Sequence, residues 1–123
     1  MLDHAGFAVS DYPSSKLFYE KALAPLGITL VAEPSGQAAG FGTEELAFFW
    51  IEAQGQPARG RLHVAFRADD RESVDRFHAA ALEAGAIDNG APGKRTMYHP
   101  HYYGGYVLDP DGNNIEAVCH RPE

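Results

Sequence analysis

The sequence predicts an α+β fold. Two tandem βαβββ modules, residues 1–55 and 56–123, together make one compact domain. Three observations lead there. A shift of 59 residues lays His63 on His4, Phe66 on Phe7, Asp70 on Asp11, Phe77 on Phe18, Ala81 on Ala22 and Leu82 on Leu23, which reads as an internal duplication. The apolar spacing of the first half gives a strand, a helix and three further strands. Near the end, Asp109-Pro110-Asp111-Gly112 between two apolar runs is the composition of a hairpin turn.

In order, residues 2–9 alternate, with Leu2, His4, Gly6 and Ala8 on one face of a half-buried strand. Cap and first-turn residues follow at 10–13. Leu17, Phe18, Ala22 and Leu23 then recur at helical spacing until Pro25 and Gly27 stop the helix. Residues 28–32, 37–41 and 46–51 are apolar runs separated by the turn compositions Pro34-Ser35-Gly36 and Gly42-Thr43-Glu44-Glu45. Residues 54–60, polar with Gly and Pro, connect the modules. In the second module a helix spans 73–84. A Gly- and Pro-rich segment comes next, then strands near 103–108 and 114–119 on either side of the hairpin turn.

The 123 residues are 45% hydrophobic and 22% charged, enough apolar material for a core that needs no disulfide or structural metal. Ten Lys and Arg against seventeen Asp and Glu leave a net charge of −7, which argues against nucleic acid or an anionic membrane as partner. The single cysteine, Cys119, is expected to be a buried, inert thiol. With no oxidising compartment called for, a cytoplasmic location is expected. No apolar run approaches the roughly 20 residues of a membrane helix, no leader composition opens the chain, and the mature protein is expected to start where the sequence does.

His4 and His63 open the first strands of the two modules, and Glu116 lies on the last strand of the second. Two imidazoles and a carboxylate on one face can bind a divalent transition metal and leave positions open for substrate. Residues 97–106 pack His99, His101 and four tyrosines into ten positions. The segment is either an aromatic rim or dimer contact, or a pocket wall in which His99 or His101 gives a proton and Tyr102 or Tyr103 a hydrogen bond. Lys94-Arg95, the one adjacent basic pair, is either solvated surface or an anion-binding element. His78 and His120 read as surface residues.

LDHAGFAVSD with its Phe18-Tyr19 helix, the second opening LHVAFRADD, and the ending YVLDPDGNNIEAV resemble the vicinal oxygen chelate superfamily over essentially the whole chain. That superfamily includes glyoxalase I, extradiol dioxygenases and bleomycin-resistance proteins. The resemblance implies paired βαβββ modules forming a cupped mixed sheet around a metal, with helices on the outside and ligands from the first and fourth strands of each module. His4, His63 and Glu116 match three of those four positions. The fourth falls on Phe49, whose phenyl ring cannot ligate a hard cation, and Glu52 would reach it only through a bulge. The remaining His, His, Glu set is closer to extradiol dioxygenases than to lactoylglutathione lyase, whose proton transfer needs a carboxylate and loses a candidate base with one of its two glutamates.

The expected protein is therefore a homodimeric, glyoxalase- or dioxygenase-like metalloenzyme. Its divalent ion (Fe, Mn, Zn or Ni) sits on His4, His63 and Glu116, and its small substrate chelates through vicinal oxygens, handled by His99, His101, Tyr102 and Tyr103. The alternative is a metal-free protein that sequesters a small ligand, as in the bleomycin-resistance branch.

Overall fold

A computed structural model describes residues 1–122. The first module runs β1 (Ala5–Ala8), α1 (Tyr12–Leu23), β2 (Thr29–Ala32), β3 (Ala38–Thr43) and β4 (Leu46–Glu52). The second runs β5 (His63–Arg67), α2 (Arg71–Glu83), β6 (Ile87–Lys94), β7 (Tyr103–Leu108) and β8 (Asn114–Cys119). Each module is a four-stranded mixed sheet, in the orders β1-β4-β3-β2 and β5-β8-β7-β6. The outer first strand is parallel to its neighbour and the other pairs are antiparallel. The duplication is thus one of topology, and the hydrogen-bonded unit is four strands per module.

The helices start in the same way. Asp11 accepts from the Ser14 amide at 3.2 Å and Asp70 from the Ser73 amide at 2.8 Å, so the 59-residue register extends to both N-caps. Each helix covers one face of its own sheet, and the two helices touch. A single core runs through both modules. Phe49 of β4 meets Phe66 of β5 edge-on at 5.0 Å, and Tyr19 of α1 meets Phe49 at the same distance. Tyr19 is fully buried, whereas Leu17, part of the expected apolar stripe, is half exposed.

Three elements differ from the sequence reading. Strand β1 begins at Ala5, so His4 precedes it. The Gly- and Pro-rich segment forms β6, an edge strand with two register shifts. Pro92 is tolerated there because the edge leaves one side unpaired. His78, expected on the surface, is buried, its Nε2 2.9 Å from Asp88 Oδ1. Cys119 is buried, as expected. Among the described residues no helix is long and apolar enough to cross a membrane.

Candidate functional site

The sheet faces away from the helices are where chemistry-bearing side chains gather. In the second sheet Ile115, Ala117 and Cys119 point into the core, so strand alternation turns Asn114, Glu116 and Val118 to the open face. Pairing places Ala65 beside Glu116 on one flank and Tyr106 on the other. His63 Nε2 lies 2.9 Å from Glu116 Oε1, and because a carboxylate only accepts, the imidazole donates. The Tyr102 hydroxyl donates to Glu116 Oε2. Glu116 is 1% exposed, so this buried carboxylate is satisfied by one imidazole and one phenol. His63 stays largely open. With Tyr98, Tyr106 and Asn114 these three line a shallow depression of ≈ 550 Å³.

Burial, and then the bond to Glu116, holds the Tyr102 phenol well above the usual tyrosine range, and burial also raises Tyr106. Tyr102 therefore keeps its proton and acts as a donor. Arg95 adds positive charge beside the depression. Its guanidinium sits 5.3 Å from the Tyr106 ring centroid, held by a 2.7 Å bond to the Ala91 carbonyl. Of the Lys94-Arg95 pair, Arg95 packs on the Tyr106 ring, and Lys94 is exposed at the end of β6.

His99 lies beside Tyr102, its ring centroid 5.6 Å from the phenol ring's. Its Nδ1 accepts the His101 amide at 3.1 Å, so the ring proton is on Nε2 and is donated to His120 Nδ1 at 2.6 Å. Both rings pack against Tyr102. The structure thus joins His99 and Tyr102 to His63 and Glu116 and leaves His101 exposed beside them. Tyr103 goes elsewhere. Adjacent strand residues face opposite ways, and Tyr103 lies on the helix side with its hydroxyl 2.6 Å from Asp75 of α2. Sequence reasoning left Arg95 between solvated surface and an anion-binding element, singled out no role for Tyr106, and read His120 only as the surface residue it is. Tyr106 was reachable, because closing the hairpin over residues 109–113 puts 106 opposite 116.

His4 is not with them. It is exposed, 2.7 Å from Asp3, and borders a separate depression of ≈ 620 Å³ on the open face of the first sheet, with Gly6, Ala38, Ala47, Trp50 and Glu52. Register also revises the fourth position. Glu116 pairs with Ala65, whose counterpart 59 residues earlier is Gly6, and Gly6 pairs with Trp50. The counterpart of Glu116 is therefore Trp50. Phe49 pairs with Ala5 and is buried in the core. Glu52 lies on the open face without needing a bulge of its own.

A His and a carboxylate whose donor atoms are 2.9 Å apart match neighbouring ligands on a metal with bonds of about 2.0–2.2 Å. The donor types suit a divalent transition ion. Among the described residues, however, no three His, Cys, Asp or Glu side chains form such a group, so one chain offers two donors of the three expected.

Comparison with known proteins gives the same fold. The crystal structure of a glyoxalase/bleomycin resistance protein from Albidiferax ferrireducens T118 is 32% identical, with a TM-score of 0.83 over 98% of this chain and 99% of that one. An integron cassette protein from V. cholerae is 26% identical, with a TM-score of 0.69 over 98% and 95%. Lactoylglutathione lyase from Agrobacterium tumefaciens, at 19% identity and a TM-score of 0.69 over 97% and 92%, shares the fold. No curated protein matches by sequence. The family model described as Glyoxalase/Bleomycin resistance protein/Dioxygenase superfamily matches residues 1–117, and with paired βαβββ modules and a His–Glu pair on an open sheet face, the chain belongs to that superfamily.

Proposed function

We propose that the protein is a homodimeric, metal-dependent enzyme acting on a small substrate that presents two adjacent oxygens. The observation that carries this reading is the His63–Glu116 pair, where an imidazole and a buried carboxylate meet on the open face of the second sheet. His63 and Glu116 would hold Fe, Mn, Zn or Ni, with His4 of the partner subunit as third ligand, since His4 lies too far off in its own chain. The ion, when bound, polarises the two substrate oxygens.

The chain's own residues do the rest. Tyr102 holds its phenol proton and keeps Glu116 oriented. Arg95 favours a substrate with developing negative charge, and the His99–His120 pair can pass a proton between solvent and the Tyr102 side of the depression. His101 is the exposed end of that group. The lone buried thiol goes with a cytoplasmic setting, and the acidic charge with a small-molecule partner in place of nucleic acid or membrane.

The test is metal stoichiometry and thermal unfolding of the wild-type and His63→Ala proteins. Metal in the first, lost from the second with the fold intact, is expected. A metal-free wild type, or unchanged metal content after His63→Ala, overturns the reading. The second reading, a metal-free ligand-sequestering protein, is favoured by Trp50 standing where a second carboxylate would be needed.

A further inference from the structure

The connector between the two modules carries basic side chains that the metal reading does not use. Its backbone is fixed by Asn113, a fully buried residue of the last hairpin. Asn113 Nδ2 donates to the Ala58 carbonyl at 2.8 Å, and its Oδ1 accepts the amides of Arg61 and Leu62 at 3.1 and 3.2 Å. The Ala58 amide donates to the Ala8 carbonyl at the end of β1, and the Leu62 carbonyl accepts the Asn114 amide at the start of β8. Residues 58–62 are thus tied to both modules, so a ligand there does not have to order the loop that holds it. Gly60, at φ 71°, turns the chain between Arg59 and Arg61. Both arginines line one depression of ≈ 520 Å³ with Gln56, Pro57 and Ala58.

The charge at that place is the reverse of the chain's −7. Among the described residues no carboxylate lines the depression, and neither guanidinium makes a hydrogen bond or an ion pair, although both arginines are exposed. The acids of the neighbouring hairpin are committed elsewhere: Asp111 accepts the amide and hydroxyl of Ser10, and Asp109 accepts from Tyr19. Two unpaired guanidinium forks on one fixed loop suit an oxyanion. A carboxylate, with two oxygens and one charge, is matched by a single fork. A phosphate group offers three terminal oxygens and up to two charges, and so engages both. We propose that the connector is a binding site for a small phosphate-bearing ligand, held by Arg59 and Arg61, with Gln56 as a further donor and Pro57 and Ala58 as an apolar bed for the carbon part of an ester. The net charge of −7 repels a polyanion, which keeps the ligand small. The proposal stands apart from the metal reading, because none of its contacts involves His4, His63 or Glu116.

The test follows the backbone amide peaks of residues 59–61 in a proton–nitrogen correlation spectrum of the full-length protein, at pH 7 and fixed ionic strength. Inorganic phosphate and glycerol 3-phosphate are titrated, with acetate as the carboxylate control. Saturable shifts of these amides are expected with at least one of the phosphates, at an affinity roughly tenfold or more above that of acetate. Tighter binding of inorganic phosphate identifies the free anion as the ligand, and tighter binding of the ester identifies a monoester. Arg59→Gln and Arg61→Gln, both at exposed positions, should each weaken binding by about tenfold and together abolish it. Amides that do not shift overturn the proposal, as does equal affinity for phosphate and acetate. Binding kept in the double variant but lost in His63→Ala also overturns it, by assigning the anion to the second sheet. Metal content of the same samples is read independently, so failure of either proposal is visible without the other.

Discussion

The hydroxyl of Tyr19, on the first helix, donates to Asp109 Oδ2 at 2.5 Å, joining residues 90 positions apart and the two modules to each other. Both groups are buried. Asp109 also accepts the amides of Asp111 and Asn113 at 2.9 Å and so organises the last hairpin. Ser10 adds a second tie at the same place through Asp111.

Tyr19→Phe leaves the Asp109 carboxyl short of one donor in a buried place. A loss of about 1–3 kcal/mol is expected from urea unfolding. A change below a few tenths of a kcal/mol would show that the bond does not couple the modules.

The β3–β4 turn holds two ordinary residues in the left-handed region, Glu44 at φ 49° and Glu45 at φ 68°. Two-residue hairpins of this kind favour glycine, most often second. Glu45→Gly should raise stability by about 1 kcal/mol, a melting shift of a few degrees. An unchanged or lower melting temperature argues against strain there.

Asp70 and Asp88 ionise more readily in the folded chain. For Asp70 the cause is the hydroxyl and then the amide of Ser73; for Asp88 it is the Gly90 amide and then His78. Their contribution is complete above the ordinary aspartate range and is lost as pH falls through the depressed folded values. Asp109 runs the other way, because burial raises it and its ionisation opposes folding. Asp70→Asn should therefore flatten the acid side of the stability profile below about pH 4. Parallel profiles for the variant and the wild type would refute this.

The half-sites of one chain are apart, so the proposed metal centre needs a second copy. Light scattering at micromolar concentration should give twice the 13.4 kDa chain mass. His4→Ala should lower metal content as His63→Ala does. A monomer that binds metal would rule out the shared site.

Much of this protein was legible in the sequence because it is written in local rules. The duplicated register, the capping aspartates, the helix stops and the hairpin composition each depend on a few neighbouring residues, and they set the topology. Glu116 and His63 could be placed on one face because they sit on regular strands. Tyr103 could not, because alternation says which residues oppose each other but not which side meets the helix. The second edge strand was hidden because an edge tolerates the Gly and Pro that a central strand rejects. The largest difference lies in β4. Pairing slips between Phe41–Phe49 and Gly42–Ala47, leaving Phe48 as an extra residue, and a Cβ at Gly42 would sit 1.8 Å from the Leu46 carbonyl oxygen. That bulge turns both Phe48 and Phe49 toward the core and sends Trp50 to the open face. In a run of three aromatics the sequence alone leaves the facing open, and a slip of one residue inverts it. Packing of Phe49 against Tyr19, Phe41 and Phe66 decided it, and with it the character of the first sheet's open face.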